Sequence, residues 1–325
     1  MSMKAIVQSA PGGVGTLTLS TIERPIPQEG QLLIRVHAAG VNRADIVQRE
    51  GHYPAPPGAS AIMGLEVAGE VVEVRGPSAF KVGDAVFGLV PGGGYAEYAV
   101  LDSALAIAKP ERLSWVEAAS LPEAWMTAWF NLVEIGHLAE GERALIHAGA
   151  SGVGAAAIQL ARMLGASVLA SAGSADKMAF CSRLGAEHVY NWRDLEHFAP
   201  MVRQWGGADL VLDPVGGSYL AENIACMNPD GRLIFIGVMG GAQASLNLAQ
   251  VLVKRLSLRG STLRPQPLAV KARLASALAQ HVLPAQAAGR VQMTVDAVYP
   301  LSEVAEAHLH MESNRNLGKI MLHVE

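Results

Sequence analysis

The sequence predicts an α/β protein in which a β-rich, barrel-like region is combined with a doubly wound parallel sheet of six strands. From Met3 to about Leu121, short runs with alternating apolar residues are separated by Pro and Gly clusters, which is typical of antiparallel barrels. From about Pro122 to Arg264, apolar strand-like runs alternate with helical stretches of ten or more residues. Such βα units form parallel sheets that are covered on both faces.

Six runs predict the strands of the parallel sheet: RALIHAG, SVLASAG, EHVYNW, ADLVLDP, GRLIFIGV and LSLRGST. Helices are expected between the five successive pairs. After them come a helix over 268–281, the strand VQMTVDAVYP, a helix over 301–311 and the strand KIMLHV. The predicted divisions are 1–121 for the β-rich domain, 122–264 for the parallel-sheet domain, and 265–325 for a segment that completes the first.

Composition excludes several classes of protein. The 325 residues carry a net charge of −4 without a Lys/Arg cluster, so no nucleic-acid partner is expected, and no apolar run is long enough to span a membrane. The N-terminus lacks the pattern of a secretory signal, which makes the cytoplasm the expected location. The two cysteines, Cys181 and Cys226, are isolated and predicted to be reduced. No spacing typical of a metal site occurs, and no metal is expected.

The stretch IHAGASGVGAAAIQLARMLG joins a predicted strand to a helix through a glycine-rich turn. Free backbone N–H groups and the helix dipole meet there, which suits a pyrophosphate. Ser151 replaces the second glycine of the dinucleotide-binding pattern, and its small hydroxyl either admits the backbone to the phosphate or donates to it. The alternative is a turn that only connects two elements. The predicted cofactor contacts of the turn are Gly149, Ala150, Ser151, Gly152 and Val153.

The end of the second parallel strand predicts the type of cofactor. An NAD site would place an acidic residue there to bind the ribose hydroxyls, but this strand ends in Gly173 and Ser174. Lys177 follows within one turn, either as a partner of a 2′-phosphate or as an ordinary solvated lysine. We therefore expect NADP(H). Tyr190, at the end of the third strand, either flanks the nucleotide or packs in the core.

Seven segments in the same order give the whole chain a resemblance to a known superfamily: AGVNRADIVQREGHYPAPPGAS, MGLEVAGEV, PGGGYAEY, LPEAWMTAW, IHAGASGVGAAAIQLAR, DPVGGSY and NRNLGKI. They resemble the medium-chain dehydrogenase/reductase superfamily, and within it the zinc-free NADPH quinone oxidoreductases, closest to the tumour-suppressor-inducible subgroup. The resemblance implies a GroES-like catalytic domain and a Rossmann domain.

The resemblance also bears on zinc. In the zinc alcohol dehydrogenases of this superfamily, a Cys ligand lies where this sequence has Asn42, and a Gly-His-Glu triplet matches residues 64–66. Leu65 stands in place of the histidine, and neither Leu nor an amide can replace these ligands. Glu66 remains, either as a structural carboxylate paired with an Arg or with backbone N–H groups, or as a residue lining the nicotinamide pocket.

The resemblance implies roles for further residues. Asn42 would contact the nicotinamide end of the cofactor, and the Tyr53 hydroxyl would orient or protonate the substrate oxygen, although Tyr53 could instead only pack its Pro-rich loop. Arg264 could instead be a surface or interface residue. Besides Asn42, the resemblance implies cofactor contacts at Thr127, Gly237, Met239, Leu263, Arg264 and Asn316.

Together these observations predict a cytoplasmic, zinc-independent NADPH:quinone reductase. Without a Lewis acid the oxidation of an alcohol is disfavoured, whereas a quinone accepts hydride readily. A homodimer is expected, partly from the resemblance and partly because the strand LSLRGSTL would leave an unprotected sheet edge. The alternatives are an enal or enoyl-thioester reductase, and an NADPH-binding structural or RNA-associated protein without turnover.

Overall fold

A computed structural model describes all 325 residues of the chain and divides them into two compact units. The first unit contains 1–126 and 264–325, and the second contains 127–263. The α/β class predicted from the sequence is confirmed, with a β-rich unit and a parallel-sheet unit. None of the helices combines the length and the apolar character that crossing a membrane would need.

The first 129 residues form seven strands and three α-helices. The strands are β1 (Ser2–Gln8), β2 (Leu17–Glu23), β3 (Gln31–Val41), β4 (Glu66–Val74), β5 (Ala85–Leu89), β6 (Tyr98–Asp102) and β7 (Ile107–Ala108). The helices are α1 (Arg43–Arg49), α2 (Trp115–Ala119) and α3 (Pro122–Trp129). Short 3₁₀ turns cover Val14–Thr16 and Ser103–Leu105, and a π-helical stretch, Phe130–Ile135, continues α3.

The second unit alternates strands and helices as the sequence predicts. Its strands are β8 (Arg143–Ile146), β9 (Ser167–Ala172), β10 (His188–Asn191), β11 (Ala208–Asp213), β12 (Met227–Phe235) and β13 (Ser257–Gly260). Its helices are α4 (Gly152–Met163), α5 (Ala175–Leu184), α6 (Ala199–Trp205), α7 (Leu220–Cys226) and α8 (Leu248–Lys254), with a 3₁₀ turn over Gly217–Tyr219.

All strand pairs of this second sheet are parallel, in the order β10-β9-β8-β11-β12-β13. Apolar residues that are almost fully buried, among them Leu145, Leu169, Val211 and Leu233, form its core. The order reverses beside the first strand, β8, and the crevice at such a switch point is where doubly wound sheets bind ligands. A ligand is therefore expected at the loops that follow the carboxyl ends of β8, β9 and β11.

The last segment returns to the first unit. It consists of α9 (Leu268–Ala277), a π-helical stretch (Leu278–Val282), α10 (Leu283–Ala287), β14 (Val295–Pro300), a 3₁₀ turn (Leu301–Glu303), α11 (Val304–Glu312) and β15 (Lys319–His323). β15 pairs antiparallel with β3 and parallel with β14, so the sheet runs β14-β15-β3-β4-β5-β7, with β6 also on β3. β1 and β2 form a separate antiparallel pair. This topology brings the first residue of β15, Lys319, towards the end of β3.

Candidate functional site

In the first unit, Glu66 lies in a closed cluster of three buried polar side chains. Lys319 Nζ lies 2.6 Å from Glu66 Oε1 and 2.5 Å from Asn42 Oδ1, and Asn42 Nδ2 donates to Glu66 Oε1 at 3.0 Å. The other oxygen, Glu66 Oε2, accepts from the backbone N–H of Glu123 at 2.8 Å. The carboxylate is thus paired and hydrogen-bonded, as a buried charge requires. The sequence left an arginine or backbone N–H groups open as partners; the charged partner is a lysine, and the Glu123 N–H is the backbone donor.

The backbone of β3 makes room for this carboxylate. Gly40 lies on β3 beside β4, and a Cβ added to it would lie 1.9 Å from Glu66 Oε1. Glu66 is fully buried, and Leu65 beside it is 4% exposed. Across the chain, no three His, Cys, Asp or Glu side chains are grouped so that they could hold a metal ion. Glu66 therefore takes part in an ion pair with Lys319, and its neighbour Leu65 is apolar and buried.

A second buried chain of hydrogen bonds lies behind this cluster and includes the first turn of α1. Asp45 accepts from the backbone N–H groups of Asn42 and Gly64 and from the Tyr95 hydroxyl at 3.0 Å. His308 Nε2 lies 3.2 Å from the same hydroxyl, and its Nδ1 lies 3.3 Å from Arg49.

The groups at the two ends of this series of hydrogen bonds decide which atom donates at each step. A guanidinium can only donate, so Nδ1 of His308 accepts from Arg49 and Nε2 carries the proton that it donates to Tyr95, which donates to Asp45. Burial raises the pKa of Asp45 to about 6 and lowers the pKa of His308 to about 4. A neutral imidazole thus connects α11, which carries His308, to the segment that precedes β4.

Tyr53 and Arg264, two residues predicted for the site, are neighbours in the first unit. The Arg264 guanidinium lies 5.4 Å from the centre of the Tyr53 ring and donates to the Pro91 carbonyl and to Gln48 Oε1. Burial raises the pKa of Tyr53, and the positive charge of Arg264 opposes the rise. The hydroxyl therefore keeps its proton at neutral pH and is able to donate it. Arg264 is half-buried and engaged, in contrast to a free surface arginine.

Asn316 shapes the turn that leads into β15. Its Nδ2 donates to the Gly318 carbonyl at 2.7 Å, and its side chain is 6% exposed. Gly318 has a φ of 93°, and a Cβ there would lie 2.3 Å from the Thr294 carbonyl oxygen, so this turn needs glycine. The turn sets the position of Lys319, and this role accompanies the cofactor contact that the resemblance implies for Asn316.

The glycine-rich turn of the second unit has the form that the sequence predicts. Strand β8 ends at Ile146, and α4 begins at Gly152 with Ser151 as its N-cap, whose hydroxyl accepts from the Gly154 N–H at 3.0 Å. A Cβ on Gly154 would lie 2.4 Å from the Ala148 carbonyl oxygen, so helix and turn pack too closely for any side chain. Ser151 therefore caps the helix, and its hydroxyl hydrogen stays available for a ligand.

A buried chain of neutral groups supports that turn from below. Ser171 Oγ lies 3.2 Å from the Ala148 N–H and 3.1 Å from His147 Nδ1, and His147 Nε2 lies 2.8 Å from Asn223 Oδ1. Asn223 in turn donates to Asp213, which accepts from the N–H groups of the next loop. Burial lowers the pKa of His147, so the imidazole stays neutral. The chain connects the loops that follow β8, β9 and β11.

The loop at the carboxyl end of β9 has no acidic residue at its tip, and an arginine from the segment after β10 donates to it. Ser174 caps α5 by accepting from the Lys177 N–H at 3.3 Å. Arg193, which the sequence analysis did not single out, donates to the Gly173 carbonyl and lies 4.3 Å from the centre of the Trp192 ring. The motif YNWRD places this arginine two residues beyond β10, at the same edge of the sheet as Gly173, and that placement could have identified it.

Tyr190 packs in the core, which is the second of the two alternatives that the sequence left open. Its side chain is 4% exposed, stacks on Phe198 with ring centres 5.6 Å apart, and has its hydroxyl 3.4 Å from His147 Nδ1. Tyr190 therefore lies in the core and not on the surface of the nucleotide edge. Trp192, two residues later, is 44% exposed.

The remaining predicted contacts are distributed along the chain. Met239 is exposed in the loop after β12, where its N–H donates to the Pro214 carbonyl at 3.1 Å. Gly237, in the same loop, packs against Pro214, and a Cβ there would lie 2.8 Å from that carbonyl oxygen. Thr127 is 9% exposed and its carbonyl accepts from Asn131, while Leu263 is 8% exposed.

Comparison with known proteins places the chain in a family. A model described as "Zinc-binding dehydrogenase" matches residues 152–279, and one described as "Alcohol dehydrogenase GroES-like domain" matches residues 28–111. Human quinone oxidoreductase is 32% identical over 327 residues, which is 98% of this chain and 97% of the human protein. The chain belongs to the medium-chain dehydrogenase/reductase superfamily.

Other similar proteins differ in the chemistry that their names describe. Phthioceranic/hydroxyphthioceranic acid synthase of Mycobacterium tuberculosis is 34% identical over 97% of this chain, which spans only 15% of the synthase. Among solved structures, an NAD-dependent alcohol dehydrogenase has a TM-score of 0.89 at 31% identity, and covers 99% of this chain and 100% of its own. A mycobacterial protein complexed with NADPH scores 0.87 at 29%, and the CurK enoyl reductase 0.86 at 30%, each covering 99% of both chains.

The opposite pKa shifts of Asp45 and His308 predict opposite pH dependences of stability. The raised pKa of Asp45 stabilises the fold below about pH 4, and this stabilisation is lost as the pH rises to about 6. The lowered pKa of His308 stabilises the fold above about pH 6.5, and this stabilisation is lost as the pH falls towards 4. Each effect amounts to about 3 kcal/mol, so the two nearly cancel in the wild type.

Single substitutions should expose each effect. Relative to the wild type, the unfolding free energy of Asp45→Asn should rise between pH 4 and 6.5, and that of His308→Gln should fall, as measured by urea unfolding at several pH values. Equal slopes for both variants and the wild type would contradict the assignment.

Proposed function

We propose that this protein is an NADPH-dependent quinone reductase that transfers hydride without a metal ion. The observation that carries the proposal is the ion pair between Glu66 and Lys319, at 2.6 Å, beside the apolar Leu65. Where the resemblance places zinc ligands, this chain has a leucine and an amide, and its remaining carboxylate is occupied by a lysine. The likeness to human quinone oxidoreductase over nearly the full length supports the same conclusion.

The charge at the end of β9 favours NADPH over NADH. The tip of this strand carries no acidic residue, the Arg193 guanidinium donates to the Gly173 carbonyl, and Lys177 lies in the first turn of α5. A 2′-phosphate fits such a surface, whereas the ribose hydroxyls of NAD have no carboxylate to bind. The similar mycobacterial structure complexed with NADPH supports this choice.

The chain's own residues suit a reaction that needs little acid–base chemistry. Bound NADPH supplies the hydride. The glycine-rich turn and the capped start of α4 would hold its pyrophosphate with backbone N–H groups. Asn42 offers an amide donor and Tyr53 a protonated hydroxyl, and a quinone oxygen that gains negative charge needs one or two such donors.

An enoyl-thioester reductase is the second candidate. The synthase relative and the CurK enoyl reductase support it, because hydride addition to an activated C=C needs the same cofactor and similar donors. An NADPH-binding protein without turnover is the third. The cytoplasmic location expected from the sequence stays a prediction.

A substrate panel distinguishes the candidates. With NADPH the purified protein should reduce quinones at least about tenfold more efficiently than enones, enoyl thioesters or aldehydes, with kcat/KM followed by NADPH absorbance. NADH should be the poorer donor, and a chelator should leave the rates unchanged. Loss of activity on chelation, or a preference for NADH, would contradict the proposal, and a preference for enoyl thioesters would favour the second candidate.

Two variants test in this assay which residues contribute to NADPH binding and to catalysis. Arg193→Leu should raise the KM for NADPH about tenfold and leave the KM for NADH unchanged, because it removes one charged partner of the 2′-phosphate. Tyr53→Phe should lower kcat for quinone and leave NADPH binding intact. Arg35→Met, which breaks a partly exposed ion pair with Glu70, serves as the control and should change neither.

We further propose that the protein forms a homodimer through β13. This strand is at one end of the second sheet, and its residues are exposed or half-exposed. Large apolar side chains near it in sequence are also exposed, namely Leu246, Leu248, Leu252 and Val253. Sedimentation should give twice the 34.1 kDa mass of the chain, and Leu258→Pro should yield a folded monomer. A monomeric wild type would overturn this proposal.

A further inference from the structure

Three side chains, Asn42, Glu66 and Lys319, form a ring of hydrogen bonds in which every charged donor and acceptor has a partner. Lys319 has three N–H bonds, and its three acceptors are Val41 O, Asn42 Oδ1 and Glu66 Oε1. Glu66 accepts from Lys319 and Asn42 through Oε1 and from the Glu123 N–H through Oε2. All three N–H bonds of the ammonium and both oxygens of the carboxylate therefore have partners within the protein.

The same ring fixes the orientation of the Asn42 amide. An ammonium can only donate and a carboxylate can only accept, so Oδ1 must face Lys319 and Nδ2 must face Glu66. A flipped amide would bring its N–H₂ group against the ammonium and its oxygen against the carboxylate. One N–H bond of Asn42 takes part in the ring, which leaves the second N–H bond outside it.

Burial decides which of the three residues meets a ligand. Glu66 is fully buried and Lys319 is 4% exposed, whereas Asn42 is 8% exposed. The carboxylate cannot move aside, because Gly40 and the Glu123 N–H enclose it. Of the three side chains, Asn42 is therefore the one with the most surface to offer a bound molecule.

We infer that Glu66 and Lys319 are positioning residues that make Asn42 a fixed hydrogen-bond donor for an oxygen of the bound quinone or of the bound cofactor. This inference rests on the proposed function. The ring is neutral in sum, so Asn42 presents a dipole and not a net charge. Such a preorganised donor favours an oxygen that gains negative charge during hydride transfer, and it needs no reorientation when the charge develops.

The experiment removes the ion pair without leaving a buried charge. Glu66→Gln/Lys319→Met is neutral and similar in volume, so it should fold, which a thermal melt checks. We expect it to lose about 10²-fold in kcat/KM for quinone, as expected for the loss of an aligned donor. Asn42→Ala should lose a similar factor. Arg35→Met/Glu70→Gln, which removes a partly exposed ion pair between β3 and β4, is the matched control and should keep full activity.

Non-additivity distinguishes positioning from a general structural effect. Because the pair acts through Asn42, adding Asn42→Ala to the double variant should cost less than about threefold more. Additive losses, or a folded double variant with full activity, would overturn the inference. Lys319→Arg keeps a charged donor and should therefore be more active than the double variant. Activity no higher than that of the double variant would also contradict the inference.

Binding measured without substrate identifies the oxygen. If the oxygen belongs to the quinone, the NADPH dissociation constant, measured by fluorescence quenching, should be unchanged in Asn42→Ala and in the double variant. If it belongs to the cofactor, both should weaken NADPH binding by the same factor. A wild type that binds NADPH but reduces no quinone would overturn the proposed function, and this binding comparison would then test the positioning role by itself.

Discussion

The buried ion pair between Glu66 and Lys319 is the constraint on which the first unit depends. It joins β4 to β15, which are far apart in the sequence, and its second carboxylate oxygen holds the backbone at the start of α3. Charges this deeply buried are tolerated only when each has partners, and here the lysine has three and the carboxylate three. Gly40 is required beside it, because a side chain there would occupy the space of the carboxylate.

In the second unit, a buried chain of hydrogen bonds passes through neutral side chains and ends at Asp213. Ser171, His147 and Asn223 pass hydrogen bonds from the glycine-rich turn to Asp213, and burial keeps the imidazole uncharged. The charges that would meet a 2′-phosphate lie farther out, on Lys177 and Arg193.

Local patterns explain what the sequence could predict. The six parallel strands and the glycine-rich turn follow from periodicity and turn chemistry within about 20 residues, and they occur where expected. Lys319 was missed as the partner of Glu66 because 253 residues separate them, and only the sheet order brings them together. Tyr190 could not be assigned for a related reason: a strand-end aromatic can point to either face, and this one points into the core.

The central claim is that Glu66 is held as one half of an ion pair by Lys319. A double-mutant cycle on unfolding free energy tests it most directly, with Glu66→Gln, Lys319→Met and their combination compared by urea unfolding at pH 7. Each single variant leaves a polar or charged group buried without its partner and should lose about 3 to 5 kcal/mol. The combined variant should lose clearly less than the more damaging single change. A combined loss equal to the sum of the two would contradict the account.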